Sequence, residues 1–369
     1  LYNCPKISRI PDFYYNLPKL QAMNLARCKG ISANQLRNDW TRLANEKTGK
    51  TLQILYMSYN NLEEFPESSA LKKMVNLGLL DLAYNNIKKL HPFGSEVALS
   101  SLYLNNNQIE EVPANLCAFT DDVESLTFAH NKLKKIPNIF DASSVREMGS
   151  VDFSYNEITG VDNSRTYKGI NAASVSLSNN KIEKFPSELF TAGSPITTID
   201  LSGNQMRTIP KGSIKGKKAY LLQVIDLRFN KLTSLSDDFR STTLPYITNM
   251  DLSYNCFTEV PTQPLNSAVL RAFAINHQRD ENTDQRCLRT WPTGITTCPS
   301  LIQFQIGSND IRKVEETLTP HLYILNIADN PNISIDVTSI CAYIKAGMYK
   351  LFYDKNQDIR GCDALDLEN

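Results

Sequence analysis

The stretch from Ile196 to Pro210, ITTIDLSGNQMRTIP, constrains the fold more than any other, because the rest of the chain repeats it. Apolar residues stand at Ile196, Ile199, Leu201, Met206 and Ile209, and an asparagine stands at Asn204. Ile199 and Leu201 are two apart, so on a short strand they share one face, while Thr198, Asp200 and Ser202 take the other. The chain turns at Asn204, whose amide can bond main-chain groups that the turn takes out of a ladder. Met206 and Ile209 fold back onto the same core. One such unit cannot bury its own apolar face, so copies must stack.

Slots equivalent to Asn204 fall at Cys4, Cys28, Asn60, Asn85, Asn107, Asn131, Asn156, Asn180, Asn230, Asn255, Gln278, Asn309 and Asn330. Most intervals run from 22 residues (Asn85 to Asn107) to 26 (Asn204 to Asn230). One match is weak evidence; a dozen in register is strong. From Leu20 to Ile333 the chain resembles the leucine-rich repeat family, whose signature is L-x-x-L-x-L-x-x-N-x-L. The expected fold is an α/β curved solenoid, with a parallel β-sheet on the concave face and short helices and 3₁₀ turns on the convex face. Segments such as PSELFTAG and PANLCAF are the expected turns. Residues 1–335 form the expected solenoid, and 336–369 a C-terminal cap.

Departures from the period are as informative as the period. In LYNCPKISRIP the apolar residue after Cys4 comes one position late, at Ile7; the offset recurs at Cys28–Ile31 and Asn330–Ile333 and predicts variant turns. The chain opens at Leu1 in mid-pattern, which predicts a truncated first repeat. Within the insertion at about 32–51, Leu36, Trp40, Leu43 and Ala44 lie at helical spacing, so residues 33–46 read as a helix with Trp40 in the core. A second insertion, QRDENTDQRCLRTWPTGI, enters directly after a strand. Its polar part, about 279–290, is expected to protrude at the rim as a solvated or binding loop. Ile340, Ile344 and Met348 suggest a capping helix, and KLFYD a final strand. Just past the turns, Glu63-Glu64, Lys88-Lys89, Glu110-Glu111 and Lys134-Lys135 alternate in sign, which predicts a ladder of exposed ion pairs worth about 0.2–1 kcal/mol each.

Lys plus Arg and Asp plus Glu both number 39, so the balanced charge gives no reason to expect nucleic acid. The sequence has no apolar run long enough to span a membrane. Of the eight cysteines, Cys4 and Cys28 fill asparagine slots, Cys117 and Cys256 look solitary, and Cys287–Cys298 and Cys341–Cys362 are conceivable disulfides outside the cell. The histidines are His91, His130, His277 and His321; no H-E-x-x-H, G-x-S-x-G or phosphate-cradling glycine loop accompanies them. No catalysis, metal or cofactor is expected.

A binding surface is the remaining expectation. Between the two core residues of successive strands lie Tyr56, Asp81, Tyr103, Thr127, Asp152, Ser176, Asp200, Asp226, Asp251, Ala274 and Gln305. The next outward position is mostly small. Its follower is often aromatic: Tyr59, Tyr84, Tyr155, Phe229 and Tyr254. Tyrosine buries much area at little entropy cost, so a partner is expected on this face. Arg228 faces the acids Asp200, Asp226 and Asp251, while His277, Arg279 and Asp280 extend the site to the rim loop. The alternative for any single aspartate is that L-D-L-S-x-N is generic repeat sequence.

QRDENTDQRCLRTWPTGI and NPNISIDVTSICAYIKAGMYKLFYDKNQDIRGCDAL resemble the rim insertion and cap of leucine-rich repeat lipoproteins from Bacteroides-type gut bacteria. That resemblance implies a cell-surface or extracellular protein, anchored in the outer membrane through a lipid-modified cysteine upstream of Leu1, and no known ligand. The expected function is non-enzymatic recognition of a protein or glycan partner by a monomer, with no nucleic acid and no membrane contact beyond that anchor. A structural spacer or adhesin stalk is the alternative. A third reading, an effector whose ubiquitin-ligase domain is absent, is disfavoured because too few residues follow Asn330 for such a domain.

Overall fold

A computed structural model describes the chain except residues 93–98, 114–115, 117–122, 140–147, 163–166, 168, 192, 215–218, 296–297, 315–320, 336–339, 341–346 and 355–369. The chain divides into two compact units, Leu1–Lys181 and Ile182–Asn369. Both are leucine-rich repeat solenoids of parallel strands joined by return segments with short helices and 3₁₀ turns.

The first unit carries strands β1 (Ala22–Asn24), β2 (Ile54–Tyr56), β3 (Leu79–Asp81), β4 (Ser101–Tyr103), β5 (Ser125–Thr127), β6 (Met148–Asp152) and β7 (Ala172–Ser176), each pairing with the next. The second carries β8 (Thr198–Asp200), β9 (Val224–Asp226), β10 (Asn249–Asp251), β11 (Ala272–Ala274), β12 (Gln303–Gln305), β13 (Ile324–Asn326) and β14 (Lys350–Phe352), again in chain order. The central residue of every three-residue strand is buried, as are Val151 of β6 and Val175 of β7, as period-2 alternation requires. Partner residues share a slot number, so Asp226 lies beside Asp251 and Ala274 beside Gln305.

The slot asparagines hold this register. Asn156 is typical. Its Oδ1 accepts the Leu133 N–H at 2.9 Å, and its Nδ2 donates to the carbonyls of Phe128 at 2.9 Å, one repeat back, and Phe153 at 3.1 Å, in its own repeat. The same set recurs at Asn85, Asn107, Asn131 and Asn180 in the first unit and Asn230, Asn255 and Asn330 in the second. These side chains are buried, so each bond replaces water that the core excludes. Cys28 substitutes with a thiol: its Sγ donates to the Leu1 carbonyl at 2.8 Å. Gln278 reaches with one more methylene, its Oε1 accepting from Phe257 N–H at 3.0 Å. The three late offsets are i to i+3 turns, closed by Ile7, Ile31 and Ile333 N–H bonds to the carbonyls of Cys4, Cys28 and Asn330.

The first insertion contains helix α1 (Ala33–Leu43), N-capped by Ser32, with Leu36, Trp40 and Leu43 buried. Trp40 is core, at 3% exposure. Buried Asp39 anchors the helix by accepting from the Tyr15 hydroxyl at 2.6 Å. The 3₁₀ turn expected in PSELFTAG is Ser187–Leu189, whereas PANLCAF falls almost wholly outside the described residues. Strand β14 supplies the strand expected in KLFYD. Ile340 is helical and buried and Met348 is buried, but most of the expected capping helix lies outside the described residues.

Two expectations are corrected. The charge ladder is in register, with Glu64 bridged to Lys89 through the backbone, yet Glu64 pairs with Arg37 of α1 at 2.5 Å instead. Among the described residues Lys88, Lys89, Glu110, Glu111, Lys134 and Lys135 form no ion pairs with one another, and exposed pairs of this kind are worth little. Cys287 and Cys298 do not pair: the Cys287 thiol bonds the Phe257 carbonyl, and the buried Cys298 thiol bonds those of Ser267 and Leu270. Burial pushes the Cys298 thiol up to about 11, so it stays protonated and inert. Cys117, Cys341 and Cys362 lie outside the described residues.

Removing the Asn156 amide orphans the buried Leu133 N–H and takes one of two slot-amide donors from the Phe128 and Phe153 carbonyls, which keep those of Asn131 and Asn180. Asn156→Ala is expected to destabilise the chain by roughly 2 kcal/mol or more, since each unsatisfied buried group costs about 1–3 kcal/mol. Lys132→Ala, at an exposed site, should stay within about 0.5 kcal/mol. Denaturant unfolding of the two variants checks both values.

Candidate functional site

The residue before each slot has a left-handed backbone. Tyr59, Tyr84, His130 and Tyr155 in the first unit, and Phe229, Tyr254 and His277 in the second, have φ between +53° and +58°. That conformation costs an ordinary L-residue about 1–2 kcal/mol, and Gly, Asn and Asp adopt it most cheaply. The equivalent positions at Asn106, Asn179, Gly203 and Asp329 use those cheaper residues. The aromatic ones are accepted at a cost; Tyr59 and His277 are half-buried, while the others are exposed, Tyr84 by 43%, Tyr155 by 50%, Phe229 by 51% and Tyr254 by 41% among them.

Strand spacing brings these rings into stacks. In the first unit Tyr59 and Tyr84 stack at 4.1 Å with Arg27 over Tyr59, and His130 stacks on Tyr155 at 4.2 Å. In the second, Phe229, Tyr254 and His277 form a triple stack with centroids 4.2 and 4.6 Å apart. Burial, then the nearby Arg279 guanidinium, holds the His277 imidazole below the usual histidine value, so a neutral ring continues the stack.

The strand aspartates have a structural task. Oδ1 of Asp81, Asp152, Asp200, Asp226 and Asp251 each accepts the backbone N–H two residues on, at 2.8–3.0 Å. One oxygen is therefore committed to the backbone in each of these five repeats, which explains why aspartate recurs there. Arg228 is added to this pattern in the second unit. It holds Asp226 through Nε and Nη2 and approaches Asp251 at 3.5 Å. Desolvation raises the Asp251 carboxyl above the usual carboxylate range. Tyr56 and Tyr103 are half-buried on the first unit's sheet face.

The second insertion follows β11 and its slot Gln278, and it is tied down rather than free. Arg279 and Arg286 bridge its base, and Asp280 Oδ1 accepts from Asn282 and Thr283 N–H and from the Thr283 hydroxyl. Glu281 reaches back over earlier repeats, accepting from Arg207 Nη2 at 2.9 Å and Lys231 Nζ at 2.6 Å. Arg286 reaches forward to the carbonyl of Asn309 and to Asp329. The loop is a strap along the turn edge. Sequence reasoning missed Glu281, Lys231 and Arg207: Arg207 and Glu281 stand three residues past their slots and Lys231 one past its own, two and three repeats from Glu281, so no shared position in neighbouring repeats signalled the contact. Arg228, expected to face Asp200, Asp226 and Asp251, pairs with Asp226, two residues away on one strand face, and approaches Asp251.

Among the described residues no group of three or more His, Cys, Asp or Glu side chains is placed to hold a metal ion, and no helix is long and apolar enough to cross a membrane.

These features define a leucine-rich repeat protein. Over its whole length the chain is similar to two solved structures: a leucine-rich repeat protein from Bacteroides thetaiotaomicron, 65% identical with TM-score 0.90, and one from Bacteroides eggerthii, 56% identical with TM-score 0.89. It spans 45% and 61% of those chains. Among curated relatives it is 32% identical to rat lumican over 160 residues, covering 40% of this chain and 45% of lumican. No family model matches. Fold and likeness together support a leucine-rich repeat binding domain.

The strap is held by charge. Hydrogen bonds from Lys231, then Arg207, keep the Glu281 carboxyl below the usual glutamate value. The tie is therefore fully present above that usual value and is lost as pH falls through the lowered one. Glu281→Gln, or molar salt on the unchanged chain, is expected to speed tryptic cleavage after Arg279 and Arg286 several-fold; amide exchange over 282–285 should rise on acidification in the same direction. Unchanged rates would show that charge does not hold the strap.

Proposed function

We propose that this chain is a non-enzymatic recognition module that binds an extracellular macromolecule, protein or glycan, at the bacterial cell surface. The open sheet face, its aromatic edge and the strap over the turns form the binding surface. One observation carries this reading: exposed aromatic rings occupy left-handed positions where Asn or Gly would cost less. Backbone strain kept at exposed sites is accounted for by a partner that covers the rings, since half-exposed tyrosines contribute little to the core. Tyr56, Tyr59, Tyr84, Tyr103, Asp152 and Tyr155 supply the first unit's surface. Asp200, Asp226, Arg228, Phe229, Asp251, Tyr254, His277, Arg279 and Asp280 supply the second's. Likeness to the two Bacteroides proteins favours a bacterial surface location, with a lipid anchor upstream of Leu1 as its means. The module acts as a monomer and needs no cofactor.

The test exploits the strain. Changing Tyr84, Tyr155, Phe229 and Tyr254 together to Asn keeps the left-handed turns, as Asn106 and Asn179 do already. In a screen against extracellular host proteins and glycans, the unchanged chain should bind a partner. The variant should lose at least tenfold in affinity while its melting temperature is retained. Binding that survives in the variant would exclude the aromatic edge. No binding by the unchanged chain would leave the spacer reading.

A further inference from the structure

The sheet face of the second unit is not uniform. Along β11 both outward residues are alanine, Ala272 and Ala274, which holds for no other described strand. Neighbouring β10 presents Asn249 and Asp251, and β12 presents Gln303 and Gln305, in register with those alanines. The result is a cleft of about 260 Å³ whose lining also includes Asp226 and Val224. Two strand spacings separate its walls, roughly 9.5 Å between backbones. At the slot end, Asn276 closes the cleft with bonds to Ser253 and Gln305, and beyond it stands the stack of Tyr254 and His277.

Its polar groups are set and unspent. Gln305, which lines the cleft, accepts at Oε1 from Asn276 Nδ2 at 3.1 Å, and its amide N–H groups are left to donate. Asp251 commits Oδ1 to Ser253 N–H, its carboxylate is also held by the Ser253 hydroxyl, and Arg228 approaches Oδ2 at 3.5 Å, which leaves acceptor capacity facing the cleft. The side-chain amides of Asn249 and Gln303 make no hydrogen bond among the described residues, and the two residues flank Ala272 in register. The walls thus offer donors and acceptors on both sides, over a floor of methyl groups. Arg228 between Asp226 and Asp251 leaves at most one net negative charge. Burial also lifts the Asp251 carboxyl, as expected of a group partly withdrawn from water.

We infer that this cleft is a subsite for a neutral pyranoside of an oligosaccharide, an inference that rests on the recognition reading above. Each sugar hydroxyl both donates and accepts, so one ring can satisfy Asp251 Oδ2, the Gln305 N–H groups and the Asn249 and Gln303 amides together. The C–H face of the ring lies on Ala272 and Ala274, and the next ring meets the edge of the Tyr254–His277 stack. An anionic ligand is disfavoured by Asp226 and Asp251. A cationic peptide side chain would find Asp226 already paired with Arg228.

Affinity electrophoresis of the full chain through gels of galactomannan, xyloglucan, mannan and dextran tests this, with heparin and oligolysine as charged comparisons. At least one neutral polysaccharide should retard the chain. Ala274→Trp, which fills the cleft, should abolish the retardation, and Ser176→Trp on the first unit's face should not. Asp251→Asn with Gln305→Ala keeps the backbone cap, as Asn326 does on β13, and should weaken binding at least tenfold even where Ala274→Trp fails to fold. Retardation by no neutral polysaccharide, binding to heparin or oligolysine alone, or retardation that survives a folded Ala274→Trp would overturn the inference. Survival in Ala274→Trp with loss in the aromatic-to-Asn variant would overturn only the cleft and leave the recognition reading standing.

Discussion

The slot amide is the interaction on which the rest depends. A parallel strand of three residues is too short to hold its neighbours by ladder bonds alone, and each turn leaves backbone groups buried without partners. Asn156 and its equivalents satisfy those groups in two successive repeats at once. Register then follows, because a one-residue slip would break every amide set in the stack. With register fixed, residues of one slot number lie in rows across each unit. A row of aromatic residues becomes a stack of rings, and a pair of alanines becomes a cleft.

The same constraint divides stability from recognition. Inward positions and slot amides are committed to the core. Strand aspartates are half committed, with one oxygen on the backbone and one outward. The position before each slot must adopt a left-handed backbone whatever residue it carries, so its side chain stands clear of the core. Tyr84, Tyr155, Phe229 and Tyr254 show that this position tolerates large rings at a modest cost. Surface chemistry can therefore vary there without disturbing the stack.

Most of the fold was legible in the sequence because period and burial are the same fact in a solenoid. The slots, α1 with Trp40 inside, the variant turns at Ile7, Ile31 and Ile333, and the strand in KLFYD were all readable from spacing. Contacts between repeats were harder. Glu281 with Lys231 and Arg207 are 50 and 74 residues apart, and only the registered stack makes them neighbours. The charge ladder erred the other way: the row existed, but exposed charges at that spacing have little reason to pair. The rows of Tyr and Asp were visible, whereas their different roles were not. Backbone capping by Asp200 and strain at Phe229 depend on hydrogen bonds and dihedral angles that no residue pattern reports.

The central claim is that a macromolecule covers the aromatic edge of the sheet face. Hydroxyl-radical footprinting of the full chain, with and without a partner found by screening, reads this at side-chain level. Oxidation of Phe229, Tyr254 and His277 should fall in the complex, while that of Tyr220 and Tyr246, an exposed pair in the segments preceding β9 and β10, should not change. Protection of Tyr220 and Tyr246 with the stack still reactive would contradict the account and move recognition to another side of the repeats.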